Sequence, residues 1–79
     1  MPDPIPPMTP VASSNLEAVG HDGASLYIRF KGKDGAPGPV WRYRGVAAAH
    51  APAMIAAESP GQYFHRVVKA ARVPGEKVE

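Results

Sequence analysis

Leu26, Ile28 and Phe30 alternate with Tyr27, Arg29 and Lys31. A strand over these positions turns one apolar and one basic face. Residues 40–44 repeat the pattern, with Trp41 and Tyr43 on one side and Arg42 and Arg44 on the other. A looser alternation over residues 15–21 sets Leu16 and Ala18 against Glu17 and Val19, and Asp22-Gly23 follows directly. Asp-Gly between two strand-like runs predicts a tight hairpin, because glycine accepts the positive φ such a turn demands. Residues 32–39 (GKDGAPGP) read as a long hairpin loop. Three strands joined in this way predict an antiparallel meander.

After Val46 the period changes. Residues 47–57 are alanine-rich and helix-favouring, with Pro52 the exception. Proline is tolerated only in a first helical turn, so the regular helix is expected to start near Ala51-Pro52. Ser59 suits an N-cap and Pro60 a first helical residue, which predicts a second helix from Pro60 to about Arg72. Phe64, Val67, Val68 and Ala71 mark its buried stripe; Gln62, His65, Arg66, Lys69 and Arg72 lie toward the opposite side. The expected fold class is therefore α+β: a three-stranded antiparallel β-meander followed by two α-helices packed on one face, with Trp41, Tyr43, Tyr63 and Phe64 filling the core.

Composition bounds what such a domain can do. The chain has 79 residues, ten prolines and no cysteine. It is long enough for one domain, and it excludes disulfides, thiolate nucleophiles and zinc–thiolate sites. Five of the prolines fall in residues 1–10, which read as an extended, disordered arm. Residues 11–73 form the domain and residues 74–79 a frayed tail. No stretch reaches the roughly 20 apolar residues of a membrane span, and no basic-then-apolar leader opens the chain, so a cytoplasmic location without membrane attachment is expected.

The ordered succession SSNLEAVGHD, LYIRF, WRYRGV and SPGQYFH resembles the KTSC domain, a short module named for the C-terminus of some lysyl-tRNA synthetases and also found alone in bacterial and phage proteins. The resemblance spans residues 11–73. It rests on Ser13-Ser14 before the first strand, a central aromatic-x-aromatic-x-Gly-Val, and a late Ser-x-Gly-x-Tyr-Phe. Trp41-Arg42-Tyr43 stands where the family has Tyr-x-Tyr, Ala47 where it has proline, and His65 where it has asparagine. The resemblance implies a small α+β fold and the RNA binding suggested for the family.

The residues point the same way. Arg29, Lys31, Arg42 and Arg44, with Tyr27 among them, fall on one face of the meander; cations on paired strands repel one another, and a polyanion would relieve this. Basic side chains around an aromatic ring suit a phosphate backbone and an unstacked base. Tyr27, Arg29, Lys31, Arg42 and Arg44 are thus the expected contacts of a non-enzymatic module for RNA or single-stranded DNA. The bland account is a solvated sheet face, and a formal charge of +2 with a pI of about 9.2 is modest for a nucleic-acid binder. Docking on a larger protein is the alternative, since a small core and a proline-rich arm suit it. No cofactor, metal site or catalytic residue is expected. His21, His50 and His65 lack metal-ligand spacing, and Ser13 and Ser14 lack a nucleophile elbow and read as turn residues.

Overall fold

The computed structural model describes residues 5–13, 15–33 and 36–78. Its elements in chain order are β1 (Thr9–Pro10), β2 (Leu16–His21), β3 (Ser25–Lys31), β4 (Pro37–Arg44), α1 (His50–Ala56), α2 (Pro60–Phe64) with a π-helical turn at its end (His65–Lys69), and β5 (Gly75–Lys77). The hairpin forms at Asp22-Gly23 as its chemistry requires. Gly23 sits at φ 99°, and the Asp22 carboxylate accepts from the Ala24 and Ser25 amides at 2.9 and 2.7 Å. Those two backbone bonds hold the Asp22 carboxyl below the usual aspartate range.

The α+β class and antiparallel sheet agree with the sequence pattern, but the sheet has five strands in the order β1-β2-β3-β4-β5 rather than three. A three-stranded meander leaves the backbone groups of both outer strands unpaired. The two terminal segments fill those positions. Thr9 pairs with Val19 and Pro10 with Ala18 on one edge; Tyr43, Arg42 and Trp41 pair with Gly75, Glu76 and Lys77 on the other. The end of the proline-rich arm and the tail are therefore part of the sheet. Residues 1–4 of the arm, Ser14, the Asp34-Gly35 centre of the long loop and Glu79 lie outside the described residues.

One side of the sheet carries the helices. Leu16, Val19, Leu26, Ile28 and Tyr43 pack there with Val46, Ala51, Met54, Phe64 and Val68. Leu16 and Val19 share this side, although strict alternation separates them and groups Leu16 with Ala18. A register shift between Leu16 and Ala18 inserts one residue and exchanges the faces. Phe64 meets Phe30 and Tyr43 edge-on, with ring centroids 5.7 and 5.2 Å apart. Tyr43 is buried, which pushes its phenol up, whereas Trp41 and Tyr63 are only half-buried.

Helix α1 starts at His50 and keeps Pro52 within its first turn, where the missing N–H removes no helical bond. Helix α2 is capped by Ser59, whose hydroxyl accepts from the Gln62 amide, and Pro60 is its first residue. The regular second helix expected to reach Arg72 instead widens at His65. The Ala70 amide donates to His65 and the Val73 amide to Val68, each spanning five residues. Val68 stays buried beside Phe64, while Ala71 is exposed and Arg72 takes φ 56°.

Candidate functional site

The far side of the sheet is where the basic face was expected. Cross-strand register places Ala18, Tyr27, Arg29, Val40, Arg42 and Arg44 there, with Glu76 of β5 opposite Arg42. This side is largely covered. Ala18 and Val40 are buried, and a Cβ on Gly20 would meet Met8 Sδ and the Pro7 carbonyl oxygen at 2.7 Å, so the arm lies over it. Tyr27 is 1% exposed and cannot stack on a base from that position. Burial therefore overturns the stacking expected of Tyr27: the arm crosses Gly20, its register partner on β2.

What the phenol does instead is polar anchoring. Its hydroxyl donates to Asp22 Oδ2 at 3.1 Å and is hydrogen-bonded to Arg42. Arg42 then reaches Glu76, with Nε 2.7 Å from Oε1 and Nη2 in ion-pair contact with the same oxygen. Arg44 Nε also donates to Oε1, at 3.1 Å. Asp22, Tyr27, Arg42, Glu76 and Arg44 thus form one continuous chain. Arg42 holds the Glu76 carboxyl below its ordinary value, and Glu76, then Tyr27, pushes the Arg42 guanidinium further up. Arg29 donates from Nη1 to the Gly38 carbonyl at 3.0 Å. Three of the four expected cations are therefore engaged with the fold's own acceptors.

Lys31 behaves differently. At the end of β3 it joins Asn15, Leu16, Phe30, Gly32, Gly61, Phe64, His65 and Lys69 around an open cleft of about 450 Å³. The local sequence explains the cleft. Ser13 Oγ accepts from the Asn15 and Leu16 amides at 3.2 Å each, turning the chain into β2, and the Lys31 amide donates to the Asn15 carbonyl at 2.9 Å. Gly61, in the first turn of α2, lies against this turn: its Cβ position is 3.5 Å from Ser13 Oγ. Phe30 and Phe64 line the floor, His65 stands 6.0 Å from Phe64 ring to ring, and Lys31, His65 and Lys69 are exposed around the mouth. Among the described residues, no carboxylate lines it.

The helical cations divide between two surfaces. His65 and Lys69 reach the cleft, while Arg66 lines a separate hollow with Glu58, Ser59, Gln62 and Tyr63. The sequence shows each cation but not their convergence, because Lys31 and Lys69 lie on elements whose packing is a tertiary matter. Ser13 before β2 and Gly61 of the Ser-x-Gly-x-Tyr-Phe run carried a signal, as motif positions far apart in the chain that meet here.

The other histidines serve the fold. The Gly23 amide donates to His21 Nδ1 at 2.9 Å, which leaves Nε2–H to donate to the Val46 carbonyl at 2.6 Å. His50 Nδ1 shares a hydrogen bond with the Tyr63 hydroxyl at 2.9 Å. Among the described residues, no three His, Asp or Glu side chains group to hold a metal ion, and no helix is long and apolar enough to cross a membrane.

The comparison with curated proteins gives no match to this sequence. The profile of the KTSC domain matches residues 12–71, which take in the Ser13 turn, the whole of β2 to β4, both helices and the cleft between them. Most of the chain lies inside that match, and the protein therefore belongs to the KTSC domain family.

Proposed function

We propose that this domain is a non-enzymatic module that binds single-stranded nucleic acid, with the backbone gripped at the Lys31–His65–Lys69 cleft. The observation that supports it is the meeting of cations from two separate elements around a cleft that Phe30 and Phe64 also line. A lysine from β3 and one from the π-helical turn can each neutralise a phosphate, and the exposed His65 ring offers a face to an unstacked base. Of the residues expected from sequence, Lys31 lines the cleft, whereas Arg29, Arg42 and Arg44 do not.

The test is fluorescence anisotropy with a labelled single-stranded RNA. Two phosphate contacts give a log–log salt slope of about −1.4, or about a sevenfold loss of affinity between roughly 50 and 200 mM salt. Lys31→Ala/Lys69→Ala should abolish that slope. Binding that is salt-insensitive, or unchanged in the double variant, would overturn the assignment. The apolar floor of Leu16, Phe30 and Phe64 favours one other reading, a docking site for an apolar protein side chain, and salt-insensitive capture is its signature.

A further inference from the structure

An asparagine in a turn ordinarily uses its side chain to bond the backbone a residue or two away. At the entry to β2 a different residue does that work. Ser13 Oγ accepts from the Asn15 and Leu16 amides at 3.2 Å each, and the Asn15 carbonyl accepts from the Lys31 amide at 2.9 Å. Both backbone polar groups of Asn15 are therefore bonded, and two elements fix its position. The carboxamide is left over. Asn15 is exposed, and among the described residues its side chain forms no hydrogen bond.

That carboxamide stands at the cleft. Asn15 lines it, and Nδ2 is 3.9 Å from the Cβ position of Gly61, another lining residue. Lys31, the backbone partner of Asn15, and His65 line the same space. A cation meets any phosphate and a ring stacks on any base, so neither tells one base from another. A carboxamide can do so, because it donates and accepts at once within one plane.

We propose that Asn15 is the base-reading residue of this cleft and that the base it selects is adenine. Adenine carries the N6 amino donor beside the N7 acceptor, and an asparagine carboxamide pairs with both together. Along the same edge guanine presents two acceptors, cytosine one amino donor and uracil one carbonyl acceptor, so none of them completes the pair. Asn15 can play this part only where the cleft binds nucleic acid, so the assignment rests on that reading and adds the discrimination that two lysines cannot supply.

The experiment is fluorescence anisotropy of the full chain with labelled oligoadenylate, oligocytidylate and an abasic strand carrying the same number of phosphates. Wild type should prefer oligoadenylate to oligocytidylate by at least about fivefold, the low end for one bidentate pair. In Asn15→Ala that preference should disappear, while the salt slope on oligocytidylate stays that of two phosphate contacts. Strands built from 7-deazaadenine, which lacks the N7 acceptor, should lose the wild-type preference and bind Asn15→Ala no differently from oligoadenylate. Three results would overturn the proposal: no preference in the wild type, a preference that survives in Asn15→Ala, or a loss in that variant equally large on the abasic strand, which would make Asn15 a positioning residue of the turn. Failure of the cleft reading itself looks different, as no salt-dependent binding to any strand, the abasic one included, and it takes the role of Asn15 with it.

Discussion

Replacing Phe64 by alanine tests the packing argument most directly. The ring is 2% exposed, and it joins β3, β4 and α2 through edge-on contacts with Phe30 and Tyr43. Removing a buried phenylalanine costs about 3–5 kcal/mol in transfer and cavity terms. Each edge-on pair accounts for roughly 0.5–1.5 kcal/mol of aromatic coupling. A domain of this length is expected to have roughly 4–12 kcal/mol of stability in all. A loss of about 4 kcal/mol would then lower Tm by roughly 16–32 °C. Urea unfolding read by the fluorescence of the half-buried Trp41 gives the midpoint and the m-value together. Phe64→Leu, which fills most of the space, should lose about half as much, and a cycle with Tyr43→Leu should return the coupling alone. A Phe64→Ala loss under about 1.5 kcal/mol at unchanged m would refute the reasoning, since the three aromatic rings would not then be the joint between sheet and helices.

Other consequences are sharper in sign than in size. Gly61→Ala should be neutral or stabilising by up to about 1 kcal/mol in chemical denaturation, because its Cβ would stand at ordinary contact distance from Ser13 Oγ and alanine is the better helix residue. Gly75→Ala should open the β4–β5 edge, because its Cβ would sit 2.5 Å from Tyr43 Cε1; rapid exchange of the Val78 amide would show it, and retained protection would contradict it. Asp22 has a lowered carboxyl pKa, so its contribution is fully present above the unfolded value near about pH 4 and is lost as pH falls through the lower folded value. Asp22→Asn, which can still accept from the Ala24 and Ser25 amides, should flatten that acid limb in urea midpoints measured between neutral and acidic pH.

Much of the fold is written locally. The Asp22-Gly23 hairpin, the alternation of β3 and β4, and the Ser59-Pro60 start of α2 each rest on a physical preference that acts within a few residues. The terminal strands had no such mark. Two residues of β1 and three of β5 are too few to show a period, and the proline content of the arm argues against a strand except at a sheet edge, which is where it lies. The bulge at β2 was hidden for a related reason: one inserted residue reverses facing without altering composition.

The candidate site divides along the same line. Sequence alone determined which side chains carry charge, that the apolar face of the meander receives the helices, and that the chain belongs with a known family of small domains. It could not determine what each cation would meet. Tyr27 reads as an exposed ring among arginines until the arm is placed over Gly20, and Arg42 and Arg44 read as open charges until β5 brings Glu76 across from them. Lys31 and Lys69 become neighbours only when α2 docks on the sheet through Phe64. Alternation depends on backbone geometry and survives in any short segment, whereas burial and charge pairing depend on chain elements far apart in sequence, and those are set only when the whole sheet closes.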